Sequence, residues 1–109
     1  MNFTKEIKNN HLILRLSGDL IGEDNGAAII EAVTDAIQQK VLNCIVDISG
    51  LRYINSSGIG VLITILTKFR NKGGEVSLMR PSESVQKLLV ITKLNAIFHI
   101  VQNEEEIIK

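Results

Sequence analysis

The chain has 109 residues and 45% apolar content, enough for one buried core and not for two. Twelve basic and twelve acidic residues cancel, so no global field draws in nucleic acid or an anionic membrane, and a partner has to be met by a local surface. A single cysteine excludes an intrachain disulfide and a cysteine-rich metal site. With no signal-peptide stretch at Met1 to Glu6 and no apolar run of spanning length, the cytoplasm is the expected location.

Alternation of Phe3, Lys5 and Ile7 with Thr4, Glu6 and Lys8, followed by a second alternation of Leu12, Leu14 and Leu16, predicts a β-hairpin turning at Asn9-Asn10. Asparagine tolerates positive φ, which such a turn needs. Gly18-Asp19 is expected to end the second strand. Apolar residues at Ile29/Ile30, Val33 and Ala36/Ile37 then predict an amphipathic helix, with Asp24 or Asn25 as its N-cap.

The run from Leu42 to Ile48 predicts a central strand covered on both faces, with Cys44 as a small buried hydrophobe. A loop is expected over residues 49–55. A second helix should run from about Ser57 to Arg70 and close at Lys72-Gly73-Gly74. Its apolar residues Ile59, Val61, Leu62, Ile63, Ile65, Leu66 and Phe69 exceed one core-facing stripe. Part of this helix is therefore expected either to meet a partner or to be deeply buried.

Val76 to Met79 predicts a further strand, Pro81-Ser82 a third helix with Val85, Leu88, Leu89 and Thr92 inward, and Ile97 to Val101 a last strand. Asn103 should open a closing helical turn whose Glu104, Glu105 and Glu106 form a solvated start. The order predicts one α/β domain over residues 1–109. Its mixed sheet has four to five strands, an N-terminal hairpin, about four helices and right-handed crossovers between the later, parallel strands.

Catalytic constellations are hard to assemble. His11 and His99 lie far apart, without a cysteine or acidic cluster at metal-ligand spacing, and no Gly-x-Ser-x-Gly elbow is present. Ser57-Gly58-Ile59-Gly60 lacks the third glycine of a dinucleotide loop and the Gly-Lys-Ser/Thr of a P-loop. Four scattered aromatics do not support base stacking. Asp47 could suggest a phospho-accepting receiver site, but an acidic pair to hold a divalent ion and a late lysine are missing. No enzyme, cofactor or metal is expected.

The informative stretch is Asp47 to Leu62. Ser56 or Ser57 would cap the helix, worth about 1 kcal/mol. Gly58 and Gly60 in its first turn each cost roughly 1 kcal/mol against alanine, so close packing or a partner's approach is expected there.

This stretch resembles the STAS domains shared by bacterial anti-sigma factor antagonists and sulfate transporter tails. The resemblance covers essentially the whole chain. It rests on Leu16-Ser17-Gly18-Asp19-Leu20, Val46-Asp47-Ile48-Ser49-Gly50-Leu51, Asn55-Ser56-Ser57-Gly58-Ile59-Gly60-Val61-Leu62 and Lys72-Gly73-Gly74-Glu75-Val76. It implies a STAS-like domain that binds an anti-sigma factor which is also a serine kinase of the GHKL type, and so frees a sigma factor for transcription. It further implies phosphorylation at Ser56, release of the phosphorylated form, and its restoration by a serine phosphatase.

The expected contact residues are Asp19, Leu20, Ile21, Asp24, Asn55, Ser56, Ser57, Gly58, Ile59 and Ile63. Two positions depart from the pattern: Asn55 stands where many members carry Asp, and Ile21-Gly22 where an acidic residue often follows Leu20. The alternative is a STAS subunit of a larger assembly, such as a lipid-transporting ATPase complex, without a phospho-switch.

Overall fold

The computed structural model describes residues 2–21 and 26–107. In chain order these form β1 (Asn2–Lys8), β2 (His11–Leu20), α1 (Gly26–Gln38), β3 (Asn43–Ile54), α2 (Ser56–Arg70), β4 (Glu75–Met79), α3 (Glu83–Ile91) and β5 (His99–Val101). Short 3-10 turns occupy Leu94–Ala96 and Glu104–Glu106. The described residues thus hold three α-helices, and the fourth expected at the C-terminus is one 3-10 turn.

The five strands lie in the order β1-β2-β3-β4-β5, with β1 antiparallel to β2 and every later pair parallel. Asn9 and Asn10 turn the hairpin with φ of 50° and 65°, the left-handed values its tight turn requires. Each parallel crossover advances one strand in the same direction, so crossovers of one hand put all three helices on one face. Leu12, Leu14, Cys44, Val46, Ile48 and Leu78 of that face pack with Ile29 and Val33 of α1, Leu62 and Phe69 of α2 and Leu89 of α3. Because the strand order never reverses, the sheet lacks the crevice where doubly wound folds bind nucleotides.

The opposite face carries a smaller cluster of Ile13, Ile45, Met79 and Val101, against which Ile107 packs. Glu104 belongs to this cover: it bonds Arg15 at 2.6 Å and Lys8 at 3.3 Å. The expected solvated charge run is therefore partly a tether, in which Glu104 joins Glu6 and Asp47 around Arg15. Glu106 accepts the Asn103 N–H at 3.0 Å, satisfying a donor at the start of the turn.

Two strands run longer than expected. β2 continues through Gly18 to Leu20, and β3 continues through Gly50 to Ile54, replacing the expected loop over residues 49–54. Register shifts between Arg15 and Ser17 and between Gly18 and Asp19, with Gly18 at φ 90°, absorb the irregularity and let pairing resume as Asp19↔Tyr53 and Leu20↔Ile54. Asp47 consequently lies within β3 and not at its end. Its Oδ1 accepts the Ser49 N–H at 3.0 Å and the Ser49 hydroxyl at 2.7 Å, and Arg15 stands 3.9 Å from the other oxygen.

Candidate functional site at the start of α2

The extended β2 and β3 end side by side, and α2 begins one residue after β3. The Asn55 N–H donates to the Leu20 carbonyl at 3.2 Å, tying the helix start to the end of β2. Gly58 packs directly behind this bond. A Cβ there would collide with the Leu20 carbonyl oxygen and press on the Ile54 side chain, so glycine is needed for the close approach. Gly60 differs, because a Cβ built on it meets nothing within 4 Å. Its missing side chain leaves the outer surface of the helix bare.

The cap is Asn55 and neither of the serines. Its side-chain Oδ1 accepts the Gly58 N–H at 2.8 Å, and its backbone is extended at φ −93°, ψ −178°. Ser56 is thereby the first helical residue, exposed, and relieved of the capping task. By helix geometry the N–H groups of Ser56 and Ser57 have no partner within the helix, and the positive end of its dipole lies there.

The expected contact residues divide accordingly. Asn55, Ser56 and Ser57 come together at the helix start with Asp19, whose neighbour in register is Tyr53. Leu20 is buried, its side chain in the core and its carbonyl bound to Asn55, so it can shape a contact surface only indirectly. Gly58 is likewise buried. Ile21 is half-buried, and Asp24 lies outside the described residues, as does the expected cap by Asp24 or Asn25.

Most of the apolar surplus of α2 is core, and one member is left open to solvent. Gly58, Leu62, Ile65, Leu66 and Phe69 are buried, and Ile59 and Val61 are half-buried against the core. Ile63 is 40% exposed. With Ser56, Gly60, Thr64 and Thr67 it forms an outer strip that is uncharged from Ser56 to Thr67 and ends at the exposed Arg70. The Thr64 and Thr67 hydroxyls donate to the Gly60 and Ile63 carbonyls at 2.8 and 2.9 Å, so this face offers little unsatisfied polarity.

Two neighbours escaped the sequence reading. Arg52 pairs with Asp19 at 3.4 Å, and Tyr53 is 55% exposed at the same end of the sheet. Continuing β3 across Gly50 would have brought this segment alongside the end of β2, where Tyr53 is the register partner of Asp19. Elsewhere, burial pushes the Cys44 thiol well above its ordinary range, and no helix of the described residues is long and apolar enough to cross a membrane. No cluster of three metal-ligating side chains occurs among the described residues.

Comparison with known proteins places these features in a family context. A family model described as STAS domain matches residues 2–107. An anti-sigma F factor antagonist of Paenibacillus polymyxa is 31% identical over 107 residues, covering 95% of this chain and 91% of the relative. A Thermotoga maritima protein described as a candidate anti-sigma factor antagonist superposes with a TM-score of 0.85 at 26% identity, covering 95% of this chain and 89% of its own. The phosphorylated form of the Bacillus cell fate determinant SpoIIAA shares the fold, with a TM-score of 0.76 at 23% identity over 97% of this chain and 96% of its own.

Proposed function

The chain belongs to the STAS-domain family, and we propose that it acts there as an anti-sigma factor antagonist whose binding is switched by phosphorylation of Ser56. The observation that carries this reading is the division of labour at the helix start. Asn55 caps α2, which leaves the exposed Ser56 hydroxyl to a kinase, next to a helix face that carries no charge from Ser56 to Thr67 and suits a protein interface.

The unmodified protein binds an anti-sigma factor, through the outer face of α2 with Asp19 and Tyr53 at its head, and so releases a sigma factor. That anti-sigma factor is a serine kinase of the GHKL type, which phosphorylates Ser56. A phosphoserine adds roughly 1.5 to 2 negative charges. The open N–H groups and positive dipole end of α2 stabilise them, so the fold tolerates the product. Across the interface the same charge has to be desolvated, and each facing carboxylate adds about 1–3 kcal/mol of repulsion, weakening binding by about 5- to 150-fold. A serine phosphatase returns the protein to its binding form.

Asn55 in place of aspartate suits this scheme sterically, because the amide oxygen makes the same cap while removing one negative charge beside the modified serine. In this reading the chain is a binder and a substrate of the kinase and the phosphatase. The test is a pull-down from the native cell followed by titration of the captured partner. Unmodified protein should capture a kinase of this type, and Ser56→Asp should bind it at least about fivefold more weakly. Capture of a transport ATPase, with binding indifferent to Ser56, would move the chain to the role of a transporter subunit.

A further inference from the structure

At the far end of α2 from Ser56, about 20 Å along the helix, the C-terminal ends of α1 and α2 enclose a groove of about 610 Å³. Its walls include Lys40, Lys68 and Lys72, its apolar surface is Ile37 and Leu42, and no carboxylate lines it. In a chain whose charges cancel, this is a local excess of positive charge. Among the described residues none of the three lysines makes an ion pair. The nearest acid in sequence to the α2 end, Glu75, is paired with Arg70 at 3.1 Å. Leu42 is 38% exposed, one of the few large apolar side chains left open to solvent.

We propose that this groove docks an acidic segment of a partner protein, with carboxylates on the lysines and an apolar side chain on Ile37 and Leu42. The charge complementarity sets the sign of the ligand, and the surroundings set its class. Both helices point their carbonyl ends here, and the partial negative charge of those ends disfavours a compact polyanion that offers only acceptors. A polypeptide brings carboxylates spaced along the chain for separated lysines, and a side chain for the apolar floor. Lys68, in the last turn of α2, and Lys72, in the turn that follows it, line the groove from the α2 side, while Lys40, at φ 66° just past α1, lines it from the other.

The probe is a fluorescein-labelled synthetic peptide of glutamate pairs separated by single leucines, titrated by anisotropy and mapped by amide chemical shifts. The shifts should concentrate at Lys40, Leu42, Lys68 and Lys72. The paired change Lys68→Glu with Lys72→Glu should weaken binding at least about tenfold, and an all-glutamate peptide should bind several-fold less well. Should the reversed pair melt early, Lys68→Gln with Lys72→Gln tests the same point at unchanged fold. Ser56→Asp should leave peptide binding unaltered, which separates this site from the switch. Shifts that map elsewhere, undiminished binding in a folded lysine variant, or preference for inorganic phosphate or phosphatidylglycerol vesicles over the peptide would overturn the proposal.

Discussion

The Asn55 Oδ1 lies 2.8 Å from the Gly58 backbone nitrogen, and this bond decides which of three consecutive capping-type residues caps α2. Replacing Asn55 by Ala removes it at a cost of about 1 kcal/mol, a fall in melting temperature of roughly 4 °C or slightly more. Asn55→Asp keeps the bond and adds a negative charge at the helix N-terminus, so it should melt at the same temperature or higher. Thermal denaturation of the two variants checks both signs.

Gly58 and Gly60 sit in the same helical turn and should respond in opposite directions. Gly58→Ala drives a methyl into the Leu20 carbonyl, and separating β2 from α2 should cost about 1–3 kcal/mol. Gly60→Ala meets open space and should gain about 0.5–1 kcal/mol from the lower chain entropy of alanine. Urea melts of the pair discriminate close packing from simple helix propensity.

Ile63 and Ile59, one turn apart, divide contact from core. Ile63→Asp, on the exposed face, should weaken binding of the anti-sigma factor with a melting temperature close to the parent. Ile59→Asp puts a charge against the core that Ile59 packs on and should lower stability by about 1–3 kcal/mol. Calorimetric titration beside thermal melting measures both; unaltered binding by a folded Ile63→Asp protein would remove this face from the interface.

The buried Cys44 makes stability fall with alkaline pH. Its thiol stays protonated in the folded state well above the ordinary value near 9, while the unfolded chain ionises there. Between the two values the unfolded state binds fewer protons, so its contribution to stability is complete below about pH 9 and is lost above it, at up to about 1.4 kcal/mol per pH unit. The difference in urea stability between the parent and Cys44→Ala, followed across that range, should show the loss in the parent alone.

Most of the architecture was legible because hydrophobic period carries it. Alternation marked β2, the run from Leu42 to Ile48 marked β3, and the asparagine pair marked the hairpin turn. The ends of β2 and β3 were obscured because Gly18 and Gly50 read as breaks, whereas a bulge with Gly18 at φ 90° continues the ladder past both. That shortening hid Arg52 and Tyr53 from the site. The cap was misassigned to Ser56 or Ser57 for a different reason: Asn55, Ser56 and Ser57 share the same local chemistry, and only the geometry of the chain leaving β3 chooses Asn55. Glu104 escaped because its partners, Arg15 and Lys8, are on distant strands, beyond the reach of any local pattern.

The central claim is that Ser56, freed by the Asn55 cap, carries the switch. The most direct measurement is intact mass and phosphosite mapping after incubation with the cognate anti-sigma factor kinase and ATP. One phosphate should be added, on Ser56, and Ser56→Ala should abolish it while still binding the kinase. A phosphate found only on Ser57, or none from a kinase shown to be active on another substrate, would contradict the account.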